Sequence, residues 1–253
     1  MSYLILERSG TQPPPYEGVG CYITMPTYLL VGASRGIGGS TAQYLASKGA
    51  EVLGVSRTPA TAGTWIEADI ATDQGVERVV EAVGERTLDG LLFLGGTWEK
   101  GAFTKAYNFV SSPKDEVRSL ISVNLVAPIL LARALVQNLA KAKNPRIILN
   151  GSLSGLPNAA SPEVANTATK FGLQGVVQSL NISLRAYGIG TTVVNPGNVA
   201  TPEVMDDIAA GRFGKQVPIP IEDILQTYDY ILSLSASTVP VEINLAQKKP
   251  NSD

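Results

Sequence analysis

Residues 27–50 read TYLLVGASRGIGGSTAQYLASKGA, an apolar run followed by a glycine-rich turn and a helix-forming stretch. Tyr28 to Val31 are apolar and uninterrupted, as in a buried strand, and Gly32 breaks the run. Gly32, Gly36 and Gly38 give the spacing Gly-x-x-x-Gly-x-Gly, with Ser34, Arg35 and Ile37 between them. Glycines at that spacing keep side chains out of a turn where backbone must approach a phosphate-bearing ligand closely. A helix beginning near Gly36 would aim its free N–H groups and dipole at a pyrophosphate. Three glycines also suit an ordinary tight loop, so the context decides. A second apolar strand, Glu51 to Val55, follows the helix and ends in Ser56-Arg57. Strand, glycine turn, helix and strand together open a nucleotide-binding βαβ unit.

The chain has 253 residues, 44% of them hydrophobic, enough to bury a substantial core within one domain. Its net charge of −2 includes no basic block that would mark a nucleic-acid partner. The uninterrupted apolar runs are too short to cross a bilayer, so no membrane partner is expected. Cys21 is the single cysteine and cannot form an internal disulfide. With no secretory signal visible, the expected compartment is the reducing cytoplasm. Histidine is absent altogether, which excludes Ser-His, Cys-His and His-metal arrangements; no metal site is expected.

Residues 1–24 hold Pro13-Pro14-Pro15 and precede Met25, so a non-native or alternative start, a disordered or loosely docked arm, or a small hairpin of Tyr3–Glu7 with Cys21–Thr24 is expected. The domain proper is residues 25–253. Beyond Arg57 the pattern predicts a strand over 64–68 followed by Asp69-Ile70, a helix over 72–83, and a strand over 88–94 ending in Gly95-Gly96. A loop over 98–110 leads to a long helix over 112–141, capped by Ser112, opened by Pro113 and kinked by Pro128. A strand over 146–149, a helix over 161–186 capped at Ser161-Pro162, and a strand over 191–194 ending at Asn195-Pro196-Gly197 come next. A loop over 202–218, a helix over 221–233 and a strand over 241–245 complete the chain. Such alternation implies an α/β fold: one doubly wound domain with a parallel sheet of about seven strands, helices on both faces, and a ligand at the C-terminal strand ends. Both long helices are apolar over more than one face, through Leu120, Val123, Leu125, Leu130 and Leu131 and through Phe171, Val176, Val177, Leu180 and Leu184. A homodimer or homotetramer is therefore expected.

In this order and spacing the motifs resemble the short-chain dehydrogenase/reductase family, from Pro26 to about Ala246. GASRGIG at 32–38 is similar to the family's cofactor turn, and Asp69-Ile70 to the acidic-apolar pair set against adenine. Asn124 in SVNLVAP resembles the helix asparagine of the catalytic set, and Ser152 in ILNGSLSG stands at the catalytic serine position. Pro196 to Thr201, with Gly197 and Val199, resembles the segment that holds the nicotinamide amide. The resemblance implies a Rossmann fold and oxidoreductase activity. Two departures stand out. Phe93-Leu94-Gly95-Gly96 replaces the usual Asn-Asn-Ala-Gly, keeping only the last glycine. Asn166-Thr167-Ala168-Thr169-Lys170 replaces Tyr-x-x-x-Lys, so the lysine is kept and the catalytic tyrosine is not.

Lys170 lies one helical turn after Asn166, so both share a face; the resemblance gives the lysine the nicotinamide ribose. A carboxamide donates hydrogen bonds but releases no proton near neutrality. Asn166 and Ser152 are therefore expected to donate to a substrate oxygen without supplying an acid. Arg35 and Arg57 are expected to converge on a ribose 2′-phosphate, beside Ser56 where an NAD-preferring site would carry an acid, which points to NADP(H). Two functions stay open: reduction of a small carbonyl or conjugated-carbonyl compound, and cofactor binding without turnover as a sensor or regulatory partner.

Overall fold

The computed structural model describes residues 25–212 and 216–248, so the alternatives for residues 1–24 lie outside the described residues. Its strands are β1 (Thr27–Val31), β2 (Glu51–Ser56), β3 (Thr64–Glu67), β4 (Gly90–Phe93), β5 (Arg146–Asn150), β6 (Gly190–Pro196) and β7 (Glu242–Leu245). They form one seven-stranded sheet in the order β3-β2-β1-β4-β5-β6-β7, with every neighbouring pair parallel. All four residues of β4 are buried, as a strand covered on both faces requires. The order reverses between β1 and β4, and the crevice at their C-terminal ends is where such sheets take a ligand.

The helices are α1 (Gly36–Ser47), α2 (Asp73–Val83), α3 (Lys114–Ile121), α4 (Ala127–Ala134), α5 (Val136–Leu139), α6 (Val164–Ser183), α7 (Pro202–Ala209) and α8 (Ile221–Ser233). One core gathers α2, α4 and α6 on one face of the sheet through Val79, Leu131, Leu173 and Val177; the other joins α1 and α8 through Leu45, Ile224 and Tyr228. Each fully buried Leu or Val contributes about 1.5–3 kcal/mol by leaving water.

The long helix expected over 112–141 is instead α3, a π-helical turn at Ser122–Val126, α4 and α5. Pro128 has no N–H to donate, and its ring would strike the carbonyl four residues back, that of Asn124, in a continuous α-helix. A wider turn at 122–126 removes the clash and puts Asn124 on the bulge. Neither expected serine cap holds. Pro113 is the N-cap of α3, and Glu163 that of α6, while Ser161 bonds Thr167. The expected loop 202–218 contains α7, capped by Thr201, whose Oγ1 accepts from the Val204 N–H, with Pro202 in the first turn.

The helical run Lys114–Ala134 spans 21 residues with a mean hydropathy of 1.5, long and apolar enough to cross a membrane by length and composition. The separate apolar runs of the sequence were shorter. Within the fold this run is a wall of the core, with Leu120, Ala127 and Leu131 at most 1% exposed. Leu131 and Val177 thus pack into the core against the sheet, and Leu120 is buried, rather than forming a second exposed apolar face. The apolar surface left on these helices includes Val126, Ile129, Val164, Phe171 and Ile182.

Candidate active site

The turn after β1 is built by contacts that only glycine permits. A Cβ on Gly32, where φ is +90°, would lie 2.5 Å from the backbone of Gly95, and one on Gly38 would lie 2.1 Å from the Gly32 carbonyl oxygen. Gly32 and Gly38 therefore press the start of α1 onto the ends of β1 and β4. Gly36 is different: at φ +54° a Cβ would meet nothing closer than 3.8 Å, from Glu203 and Thr201. Among the described residues no side chain caps α1, and no acid occupies its first turn. An open backbone cradle at the positive end of a helix fits a pyrophosphate.

Around this turn, Ser34 and Ile37 are half-buried and Arg35 is exposed. The Arg35 guanidinium leans toward Glu203 at 3.8 Å. Arg57 is exposed just past β2, and Ser56 Oγ donates to the Thr58 carbonyl. Asp69 accepts from the Ala71 N–H while its carbonyl holds Thr72, which starts α2; Ile70 packs on the core. Gly197 donates to the Leu245 carbonyl, Val199 bridges Ile219, and Thr201 starts α7, so the segment after β6 is pinned on both sides.

The catalytic candidates gather at the ends of β4 and β5. Asn124 is 2% exposed, and its side chain clamps the loop after β4: Oδ1 accepts from the Thr97 N–H at 2.9 Å and Nδ2 donates to the Thr97 carbonyl at 2.7 Å. A Cβ on Gly96 would lie 3.5 Å from Asn124 Oδ1 and 3.9 Å from Lys170 Nζ, so these three residues meet at one point. Gly95 donates to the Val31 carbonyl, holding that loop against β1. Lys170 Nζ donates to the Asn150 carbonyl at 2.9 Å, and burial lowers its pKa from 10.5 to about 8. Asn150 Oδ1 in turn accepts from the fully buried Tyr228 hydroxyl, whose pKa burial raises.

Ser152 begins a turn that packs on α6, where a Cβ on Gly155 would lie 2.6 Å from the Lys170 carbonyl. Its N–H donates to Asn195 Oδ1, and its Oγ accepts from the N–H and the hydroxyl of Ser154. Asn195 is fully buried and also receives Gln174 while donating to Asn244, tying β5, α6 and β7 together behind the serine. Asn166 sits on the Lys170 face of α6 but is only 3% exposed, and its Oδ1 has no partner among the described residues. Asn166 is closed in rather than presented to a cleft.

Three residues of this region carried no sequence signal. Glu99 is 2% exposed, and its Oε1 accepts from the N–H groups of Ala165 and Asn166. Glu163, equally buried, accepts from the Phe103 N–H, holding that residue at φ +62°, an uncommon conformation for an aromatic. Tyr107 Oη accepts from the Val164 N–H. The loop after β4 thus caps α6 across separations of 57 to 67 residues, which local cap patterns do not reveal.

A doubly wound parallel sheet with a glycine turn at its switch point, and an Asn, Ser and Lys gathered beyond β4 and β5, defines a nucleotide-dependent oxidoreductase fold. The family model for short chain dehydrogenases matches residues 26–210. Short chain dehydrogenase adrF of Penicillium rubens is 31% identical over 183 residues, 68% of this chain and 69% of that one. The chain belongs to the short-chain dehydrogenase/reductase family. Among solved structures, 4-hydroxyisoleucine dehydrogenase complexed with NADH has a TM-score of 0.74 at 20% identity, covering 88% of this chain and 97% of that one. A variant of ElxO with NADPH bound has a TM-score of 0.75 at 15% identity, covering 88% and 98%. These two likenesses bear on the fold alone.

Proposed function

We propose that this chain is an NADP(H)-dependent oxidoreductase of a small carbonyl or conjugated-carbonyl compound, acting in the cytoplasm as a homodimer or homotetramer. The observation that carries the proposal is the meeting of Gly96, Asn124 and Lys170 at the switch point, with Lys170 held by the Asn150 carbonyl. Gly36 and the first turn of α1 would hold the pyrophosphate, Lys170 the nicotinamide ribose, and Pro196 to Thr201 the carboxamide. The bound nicotinamide would supply or accept a hydride. The exposed guanidinium groups of Arg35 and Arg57, with no acid at the end of β2, favour a 2′-phosphate; NADPH should bind roughly tenfold or more tightly than NADH.

Ser152 Oγ would orient the substrate oxygen once Ser154 lets go of it. In the family resemblance Asn166 takes the tyrosine's place. Its burial, with Oδ1 facing no donor, also favours the second function, cofactor binding without turnover. One assay separates the two: the purified chain, saturated with NADPH, is offered a panel of ketones and enones. Cofactor consumption above the protein-free rate supports the enzyme, and tight binding without consumption supports the sensor. Equal dissociation constants for NADPH and NADH would remove the cofactor assignment.

A further inference from the structure

Glu203 lies in the first turn of α7, after the Thr201 cap and Pro202, so its carboxylate stands at the N-terminal end of that helix. An acid in a first turn complements its own helix dipole. This one also reaches across to the glycine turn after β1. Its Oε1 lies 3.8 Å from Arg35 Nη1. Its Oε2 and the Thr201 methyl are the atoms that a Cβ on Gly36 would meet first, each at 3.8 Å.

Gly36 is the first residue of α1, whose opening N–H groups have no partner within the helix and no side-chain cap among the described residues. One carboxylate therefore stands where three sources of positive potential converge: the N-terminal ends of α1 and α7, and the Arg35 guanidinium. Arg35 pairs with no other carboxylate among the described residues. The pair adds little to the stability of the fold, because the two side chains are 75% and 41% exposed and the contact is long. Its consequence is for an incoming anion. A dinucleotide would bring its pyrophosphate to α1, and a 2′-phosphate to Arg35. The first group meets the Glu203 charge, and the second meets a guanidinium that Glu203 already faces. The described part of α7 buries no residue fully, so its acid can turn away without unpacking a core.

We propose that Glu203 is an internal competitor for the cofactor phosphates, which sets how tightly the chain holds a dinucleotide and how strongly it prefers NADP(H). The proposal rests on the dinucleotide-binding function above. In the cofactor-free chain the carboxylate occupies the positive field of the turn. A pyrophosphate entering that field turns the carboxylate away, and a 2′-phosphate takes Arg35 from it. Both cofactors carry the pyrophosphate, but only NADP(H) contests the guanidinium. Removing the Glu203 charge therefore tightens the binding of both, and of NADPH more than of NADH.

The test is Glu203→Gln, which removes the charge and keeps the length. Calorimetric titration with NADPH, NADH and inorganic pyrophosphate reads the effect without turnover. At low ionic strength the variant should bind NADPH about tenfold and NADH about threefold more tightly than wild type, and the gain should fade as salt screens the charge. Its melting temperature without cofactor should stay near wild type. In an Arg35→Gln background the same substitution should improve NADPH binding no more than NADH binding, because the contested guanidinium is gone. NADPH binding that is unchanged or weaker in Glu203→Gln overturns the competition. An NADPH gain that survives undiminished in the Arg35→Gln background overturns the part assigned to Arg35. A wild-type chain that binds no dinucleotide, beside a Glu203→Gln chain that does, would show the competition at its strongest. If neither protein binds NADPH, NADH or pyrophosphate, the dinucleotide function falls and the competitor with it.

Discussion

Replacing Lys170 by Met should stabilise the cofactor-free protein while weakening its hold on cofactor. The ammonium is buried with no carboxylate bonded to it among the described residues, and its pKa falls from 10.5 to about 8. A drop of that size corresponds to about 3 kcal/mol of unfavourable free energy for the charged form. Met has a similar length and carries no charge, but it leaves the Asn150 carbonyl without its donor, a loss of about 1 kcal/mol. The net gain near pH 7 is about 2 kcal/mol, or roughly 4–8 °C in melting temperature for a chain of this size. The sign with pH follows from proton counting. Between about 8 and 10.5 the folded lysine has released its proton and the unfolded one has kept it. Wild-type stability therefore rises with pH across that window, and the variant's lead shrinks to nothing. Urea denaturation of both proteins near pH 7 and near pH 10 measures this. A variant less stable near neutrality, or a difference of the same size at both pH values, would show that the ammonium is not strained by burial. NADPH binding should weaken roughly tenfold to a hundredfold, because charge-assisted bonds to the ribose are lost.

Asn166→Tyr should raise ketone reduction about 10²-fold by supplying a phenol beside Lys170. An Asn166→Tyr chain that binds NADPH normally yet reduces no ketone in a broad panel would show that residue 166 does not stand opposite Ser152. Gly38→Ala should cost about 3 kcal/mol or more in urea denaturation, since its methyl would fall 2.1 Å from the Gly32 carbonyl oxygen; a loss under about 1 kcal/mol would mean the turn can open. Light scattering at micromolar concentration should give a dimer or larger, and Phe171→Glu should lower the mass, because Val126, Ile129, Val164 and Phe171 leave an apolar face uncovered. A wild-type monomer contradicts that assembly.

The sheet was legible because its signals are local. The central strands are short apolar runs closed by glycine, proline or a polar pair, and alternation with helices leaves one topology once crossovers are right-handed. Helix starts were less legible, and one signal shows why. Ser-Pro at 112 and 161 and Thr-Pro at 201 have the same form. In the structure only Thr201 caps the helix that follows it. Ser161 turns instead to Thr167, and α6 receives its cap from another loop. A cap motif states what a side chain can do, and tertiary contacts decide whether it does it.

The candidate site divides in the same way. Gly32, Gly36, Gly38, Asn124, Ser152 and Lys170 stand out in the sequence because each lies in a short motif at a strand end or on one helix face. What the motifs do not carry is how those residues are held. Asn124 reaches Thr97, Asn195 reaches Ser152, and Glu99 reaches Asn166 across separations of 27, 43 and 67 residues. In each case a buried side chain binds a backbone N–H, and any acceptor of the right length would do so. Residue type alone therefore cannot name the acceptor in advance. Glu99 is the instructive case, because a cap needs one acceptor oxygen and a neutral side chain would provide it. A carboxylate sealed into that position brings a second oxygen that the cap does not use. That surplus oxygen, like the Oδ1 of Asn166, has no partner among the described residues, so the cap alone does not account for a carboxylate there.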